Sequence, residues 1–137
     1  MSSWWWCDDA MTDLSICKAY VRTRSGVVHV AECGAGAAVL LFHQTPRSWV
    51  EFRAVLPLLG RQGRAIAMDT RGFGDSDPLD GPPSVEAWAG AALDLADALG
   101  LDRFAVCGHH TGAYVALECA AQAADRVTAL AVSGMNF

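Results

Sequence analysis

Five residues, Gly108-His109-His110-Thr111-Gly112, separate a short apolar run, residues 104–107, from an alanine-rich stretch, residues 113–124. A continuous apolar run of that length suits a strand covered on both faces. The following stretch is polar only at Glu118 and Gln122, spaced i,i+4 on one line, and so reads as a helix buried nearly all round. A strand that passes into a helix through a sharp glycine-flanked turn belongs to α/β architecture. The central residue of such a turn projects above the sheet, and histidine tolerates positive φ better than most non-glycine residues. His110 is therefore the residue on which the functional reading turns.

The same apolar signature recurs at residues 39–42, 65–68 and 127–132, as expected for strands of a parallel sheet. Residues 19–24 alternate and are followed by Ser25-Gly26 and a second strand-like run, 27–31, which reads as a β-hairpin. Helices are expected between the strands. One begins at Ser48, with Glu51 completing a capping box, presents Trp49, Phe52, Leu56 and Leu59 on one side, and is kinked by Pro57. Another begins at Ser84, buries Val85, Trp88, Ala89, Ala92, Leu93, Ala96 and Leu99, and stops at Gly100. The fold class is thus α/β: a mostly parallel sheet with an N-terminal β-hairpin and right-handed crossovers. Residues 1–15, with the cluster at 4–6, show no period and are expected to be a disordered tail, the domain occupying 16–137, with Met1 or Met11 as the natural start.

Composition narrows the function classes. A net charge of −5, a single lysine and scattered arginines give no basic stripe, so nucleic acid is not an expected partner. No stretch approaches the ~18 uncharged apolar residues of a membrane span, and no basic and apolar leader opens the chain, so a cytoplasmic location and no membrane partner are expected. Five cysteines without C-x-x-C spacing suggest neither a zinc site nor a disulfide framework, and reduced, mostly buried thiols are the expectation. The adjacent pair His109 and His110 should point apart, so no metal is expected.

Three segments in order carry a family resemblance: His43-Gln44-Thr45-Pro46 after an apolar run; Asp69-Thr70-Arg71-Gly72-Phe73-Gly74-Asp75-Ser76; and Gly108-His109-His110-Thr111-Gly112, followed by Asp125-Arg126-Val127. They resemble, respectively, the H-G-x-P oxyanion loop, the D-x-R-G-x-G-x-S loop and the G-x-S-x-G nucleophile elbow of the α/β-hydrolase superfamily. The resemblance covers roughly residues 18 to 135, the N-terminal portion of such a fold. It implies a hydrolase-like protein acting without a cofactor on a small-molecule substrate, a carbonyl or ester-type compound, with oxyanion donors at Thr45 and Thr111. Gln44 stands where the family's loop glycine does, and His110 stands where its serine does. The family's later acid and histidine would lie beyond Phe137, together with the last strands and the lid. The resemblance accordingly implies an inactive isolated fragment whose apolar edge favours self-association.

For His110 the residues leave three roles open: nucleophile, general base on water, or catalytically silent. A helix N-terminus favours the neutral imidazole that the first two require. His43, Gln44, His109, Asp69 and Gly72 are expected to line or brace the site, His43 by supporting the oxyanion loop and Asp69 by bonding local backbone. His29, on the hairpin, has no evident partner. A noncatalytic small-molecule binder or receptor on the same fold remains the alternative.

Overall fold

Seven apolar or β-branched segments form one sheet in the computed structural model, which describes residues 4–7 and 14–136. They are β1 (Trp4–Cys7), β2 (Cys17–Thr23), β3 (Gly26–Cys33), β4 (Ala38–Phe42), β5 (Arg64–Met68), β6 (Phe104–His109) and β7 (Val127–Ser133), ordered β1-β2-β3-β5-β4-β6-β7. β5, β4, β6 and β7 run parallel to their neighbours, while β1, β2 and β3 add antiparallel pairings, so the sheet is mixed. The hairpin is closed at Gly26, where φ is +129 and Thr23 Oγ1 donates to the Gly26 carbonyl at 2.7 Å.

Two helices cover one face: α2 (Val85–Ala98) and α3 (Thr111–Gln122) pack Ala92, Leu95, Val115 and Ala116 against Val30, Leu40, Ile66 and Val106. On the other face Trp49, Phe52 and Leu56 pack on Leu41, Ala65 and Ala67. Ser84 starts α2 by accepting from the Ala87 N–H at 3.1 Å, and Gly100, at φ +69, ends it. No helix among the described residues is long and apolar enough to cross a membrane.

Five expectations need correction. The helix expected from Ser48 is two pieces, a 3-10 turn (Trp49–Phe52) and the short α1 (Leu56–Gly60), because Pro57 sits in the first turn of α1, where its missing N–H costs nothing. The capping box is only half formed: Ser48 Oγ accepts from Val50, but Glu51 reaches the Gln44 N–H instead of returning to Ser48. The tail expected over residues 1–15 contains a strand, β1, which pairs antiparallel with β2 while Trp6 stacks on Tyr20 and His29 at centroid distances of 5.6 and 5.9 Å. Four residues carry too little periodicity to announce themselves. The two proposed starts, Met1 and Met11, and the terminal Phe137 lie outside the described residues. The thiols are not all reduced: Cys7 lies directly opposite Cys17 in the β1–β2 register and is joined to it by a disulfide. Cys33 and Cys119 are buried and Cys107 is half-buried. Finally, α3 is not covered all round, since Tyr114 and Leu117 are exposed on one stripe, beside the exposed Leu130 and Val132 of β7.

Arg71 accounts for the stiffness of the loop after β5. Its guanidinium is buried and donates to the carbonyls of Ser25, Asp77 and Pro78, tying the hairpin turn to the 69–78 loop. Arg71→Ala should leave the Ser25 and Pro78 carbonyls without this donor, cut the tie between the two loops and lower stability by about 2–4 kcal/mol in chemical denaturation. A loss under about 0.5 kcal/mol, the range of ordinary surface changes, would contradict this role.

Candidate functional site

β6 hands the chain to α3 through a single strained residue. His110 has φ 52 and ψ −116, the one non-glycine positive φ among the described residues. Its N–H donates to the Ser133 carbonyl at 2.9 Å and its carbonyl accepts from Ala113 at 3.0 Å, which fixes the turn from both sides. The flanking glycines are required by space. A Cβ on Gly108 would meet the Gly112 oxygen at 2.0 Å, and one on Gly112 would meet the Phe42 oxygen at 2.0 Å. The start of α3 therefore presses against the carboxyl end of β4, and His110 is left exposed above the sheet.

That contact brings the second loop to the same place. Thr45 Oγ1 and Thr111 Oγ1 lie 3.0 Å apart, and His110 Nδ1 lies 3.4 Å from Thr111 Oγ1, a chain of three polar groups across the ends of β4 and β6. The Thr45–Pro46 peptide is cis. His43 is fully buried beneath it. Its Nε2 accepts from the Thr70 N–H at 3.0 Å, so the ring proton sits on Nδ1 and donates to the Gln44 carbonyl at 2.7 Å. Both nitrogens are thus engaged in holding the loop after β4 to the end of β5. Gln44 gives its own N–H to Glu51 Oε2 at 3.3 Å. Glu51 Oε1 is buried with no partner, a feature that the sequence reading did not single out.

Asp69 forms a node one layer below. Oδ1 accepts from the Trp49 N–H at 2.7 Å, while Oδ2 accepts from Asp75 N–H at 3.0 Å and lies 2.9 Å from His29 Nδ1. Burial, the largest influence, pushes the Asp69 carboxyl up, but the bonds from His29, Asp75 and Trp49, aided by the charge interaction with His29, outweigh it and hold the group below its usual value. His29, for which the sequence reading found no partner, is therefore tied to Asp69; only the β3–β5 register, Val30 opposite Met68, makes them neighbours. One donor atom from each of His29, Asp69 and Asp75 falls within a 4.8 Å group of metal-ligand type, but the Asp69 oxygens are already occupied by N–H donors.

The other expected site residues lie to the sides. His109 Nδ1 is 2.9 Å from Ser133 Oγ, on the β7 side. Gly72, at φ +91, donates its N–H to the Asp77 carbonyl and borders an apolar cleft of about 300 Å³ between Phe73, Pro83 and Trp88. Phe73 also meets the His43 ring edge-on, with centroids 6.2 Å apart. Thr45, Thr111 and His110 are brought together, with His43 and Gln44 beneath them, whereas Asp69 is turned into the scaffold.

Residues 37–136 match the family described as the alpha/beta hydrolase fold. Epoxide hydrolase 2 of Siraitia grosvenorii is 41% identical to the chain over 120 residues, covering 85% of it and 38% of that relative. Soluble epoxide hydrolase of Corynebacterium sp. (strain C12) is 37% identical over 109 residues, covering 79% of the chain and 38% of the relative. Among solved structures, epoxide hydrolase CorEH without ligand superposes with a TM-score of 0.84 at 32% identity, over 88% of this chain and 42% of that one. The chain thus spans 38% of the length of these two curated relatives.

Proposed function

The chain belongs to the alpha/beta hydrolase fold family, and on that premise we propose that it carries a hydrolytic site in which His110 is a general base on water and the N–H groups of Thr45 and Thr111 receive the developing oxyanion. The substrate class that the site hydrolyses is a small, largely apolar, ester-type carbonyl compound; the relatives' names add epoxides as a second class of small electrophile that could reach the same residue. One observation carries the reading: an exposed imidazole in a positive-φ turn at the start of a helix, with only its Nδ1 side, facing Thr111, engaged among the described residues. The first N–H groups of a helix have no intrahelical acceptor, and they favour negative charge at that end. Thr111 opens α3, and the Gln44 N–H is already taken by Glu51, which supports Thr45 as the second donor.

This reading departs from the expectation of an inactive chain. A general base needs neither a serine nor a triad, only water, a free imidazole lone pair and an acceptor for the charge that develops. His110→Ala is expected to lower the rate of 4-nitrophenyl acetate hydrolysis by about 10²–10⁴, the contribution of a positioned base. Equal rates for the two proteins would instead support the second reading, a noncatalytic small-molecule binder, which histidine at the family's serine position also favours.

A further inference from the structure

We propose that His110 Nε2 is a site of irreversible alkylation by small epoxides, so that this chain is a stoichiometric acceptor for the compound class that its relatives' names associate with hydrolysis. The inference rests on the proposed role of His110 and extends it to a second outcome at the same atom. Nδ1 faces Thr111 Oγ1, which in turn lies 3.0 Å from Thr45 Oγ1. With the ring proton on Nδ1, donated to the Thr111 hydroxyl, and the Thr111 proton passed to Thr45, the lone pair resides on Nε2. The ring is exposed, so that lone pair meets solvent and any small electrophile.

Among the described residues, the other imidazoles and the thiols are less available. His43 and His29 are buried with their partners, and His109 is half-buried with Nδ1 on Ser133. Cys7 and Cys17 are bonded to one another. Burial pushes the thiols of Cys33 and Cys107 up, and burial followed by the Glu118 charge pushes Cys119 up to about 12, which keeps the reactive thiolate scarce.

The chemistry separates the two substrate classes. With an epoxide, the Nε2 lone pair forms a C–N bond to the less hindered ring carbon as the C–O bond breaks, and its electron pair goes to oxygen. The alkoxide is protonated by water, and the hydroxide formed takes the Nδ1 proton from the imidazolium, so the net product is a neutral hydroxyalkyl histidine equal in mass to protein plus epoxide. An ester has a carbonyl that water can attack, with Nε2 taking the water proton and giving it to the departing alkoxide, so the imidazole is regenerated. A hydroxyalkyl imidazole has none, because its C–N bond joins a saturated carbon, and it persists. Esters are therefore released and epoxides retained.

The test is incubation of the chain with styrene oxide, read by intact mass, peptide mapping and assay of the diol. The expected result is one added styrene oxide per chain, on His110, stable to hydroxylamine, which removes esters formed on carboxylates. Ester hydrolysis should fall in proportion to the adduct. His110→Asn, which keeps a residue tolerant of positive φ, should fold by circular dichroism and show no such adduct. Continuous diol formation, an unmodified His110, or the same adduct yield in His110→Asn would overturn the inference. If His110-dependent ester hydrolysis survives without an adduct, the alkylation inference alone is lost. If neither reaction depends on His110, the proposed function falls with it.

Discussion

Gly112→Ala is expected to yield a chain that does not reach the native fold. The new Cβ would lie 2.0 Å from the Phe42 carbonyl oxygen, 2.5 Å from its carbon and 2.8 Å from the His43 oxygen, all of them backbone atoms in or next to a central strand. Neither side can yield cheaply. β4 is hydrogen-bonded to β5 on one edge and β6 on the other, and α3 is anchored by the Ala113 bond to His110 and by Val115, Ala116 and Cys119 in the core. Relief requires lifting the helix start off the sheet, a disruption in the class that costs more than about 4–5 kcal/mol, against a net stability of about 5–15 kcal/mol for an ordinary domain. Loss of the cooperative thermal transition in circular dichroism is the expected readout. A melt within a few degrees of the unaltered chain would show that the close approach of α3 to β4 is not as described.

The second large effect belongs to Asp69. Asp69→Ala removes the acceptor shared by the Trp49 and Asp75 N–H groups and His29 Nδ1, leaving the buried Trp49 and His29 donors without that partner. A loss of about 3–5 kcal/mol is expected, as for breaking a buried charged pair. Its pH dependence has a definite sign. The folded-state pKa of Asp69 lies below its ordinary value, so the stability it contributes is complete above the unfolded pKa of about 3.9 and disappears as pH falls through the lower folded value. Denaturation curves from pH 7 to 2 should therefore fall more steeply below pH ~4 for the unaltered chain than for Asp69→Ala. Parallel curves would mean that the carboxylate is not the centre of this network.

What could be read in advance follows the range of the forces involved. The strands at 39–42, 65–68 and 104–107 and the turn at His110 were legible because apolar runs bounded by glycine report burial and backbone geometry locally. The approach of Thr45 to Thr111 was legible only through the family resemblance, since 66 positions separate them. Local signals failed where distant pairing decides the outcome. β1 exists because Trp6 finds Tyr20 and His29, and the His29–Asp69 pair exists because β3 and β5 are neighbours in the sheet although β4 lies between them in the chain. Glu51 looked like a reciprocal cap, but the loop after β4 offered it the Gln44 N–H instead. The exposed stripe of α3 was missed because alanine-rich sequence reads as buried whether or not anything lies against it.

The cross-strand bridge links the chemistry of the surroundings to the floor of the site. Cys7 and Cys17 close a loop with a sequence separation of 10, a constraint of roughly 3 kcal/mol in chain-entropy terms. In a compartment that keeps thiols reduced, what holds the four-residue strand, among the described residues, is its ladder and the Trp6 stack. Its release would take the indole off His29, whose Nδ1 meets the carboxylate that also receives the Trp49 N–H. Thiol oxidation at the outermost strand and the tightness of the turn beneath Thr45 are in this way coupled through a single imidazole.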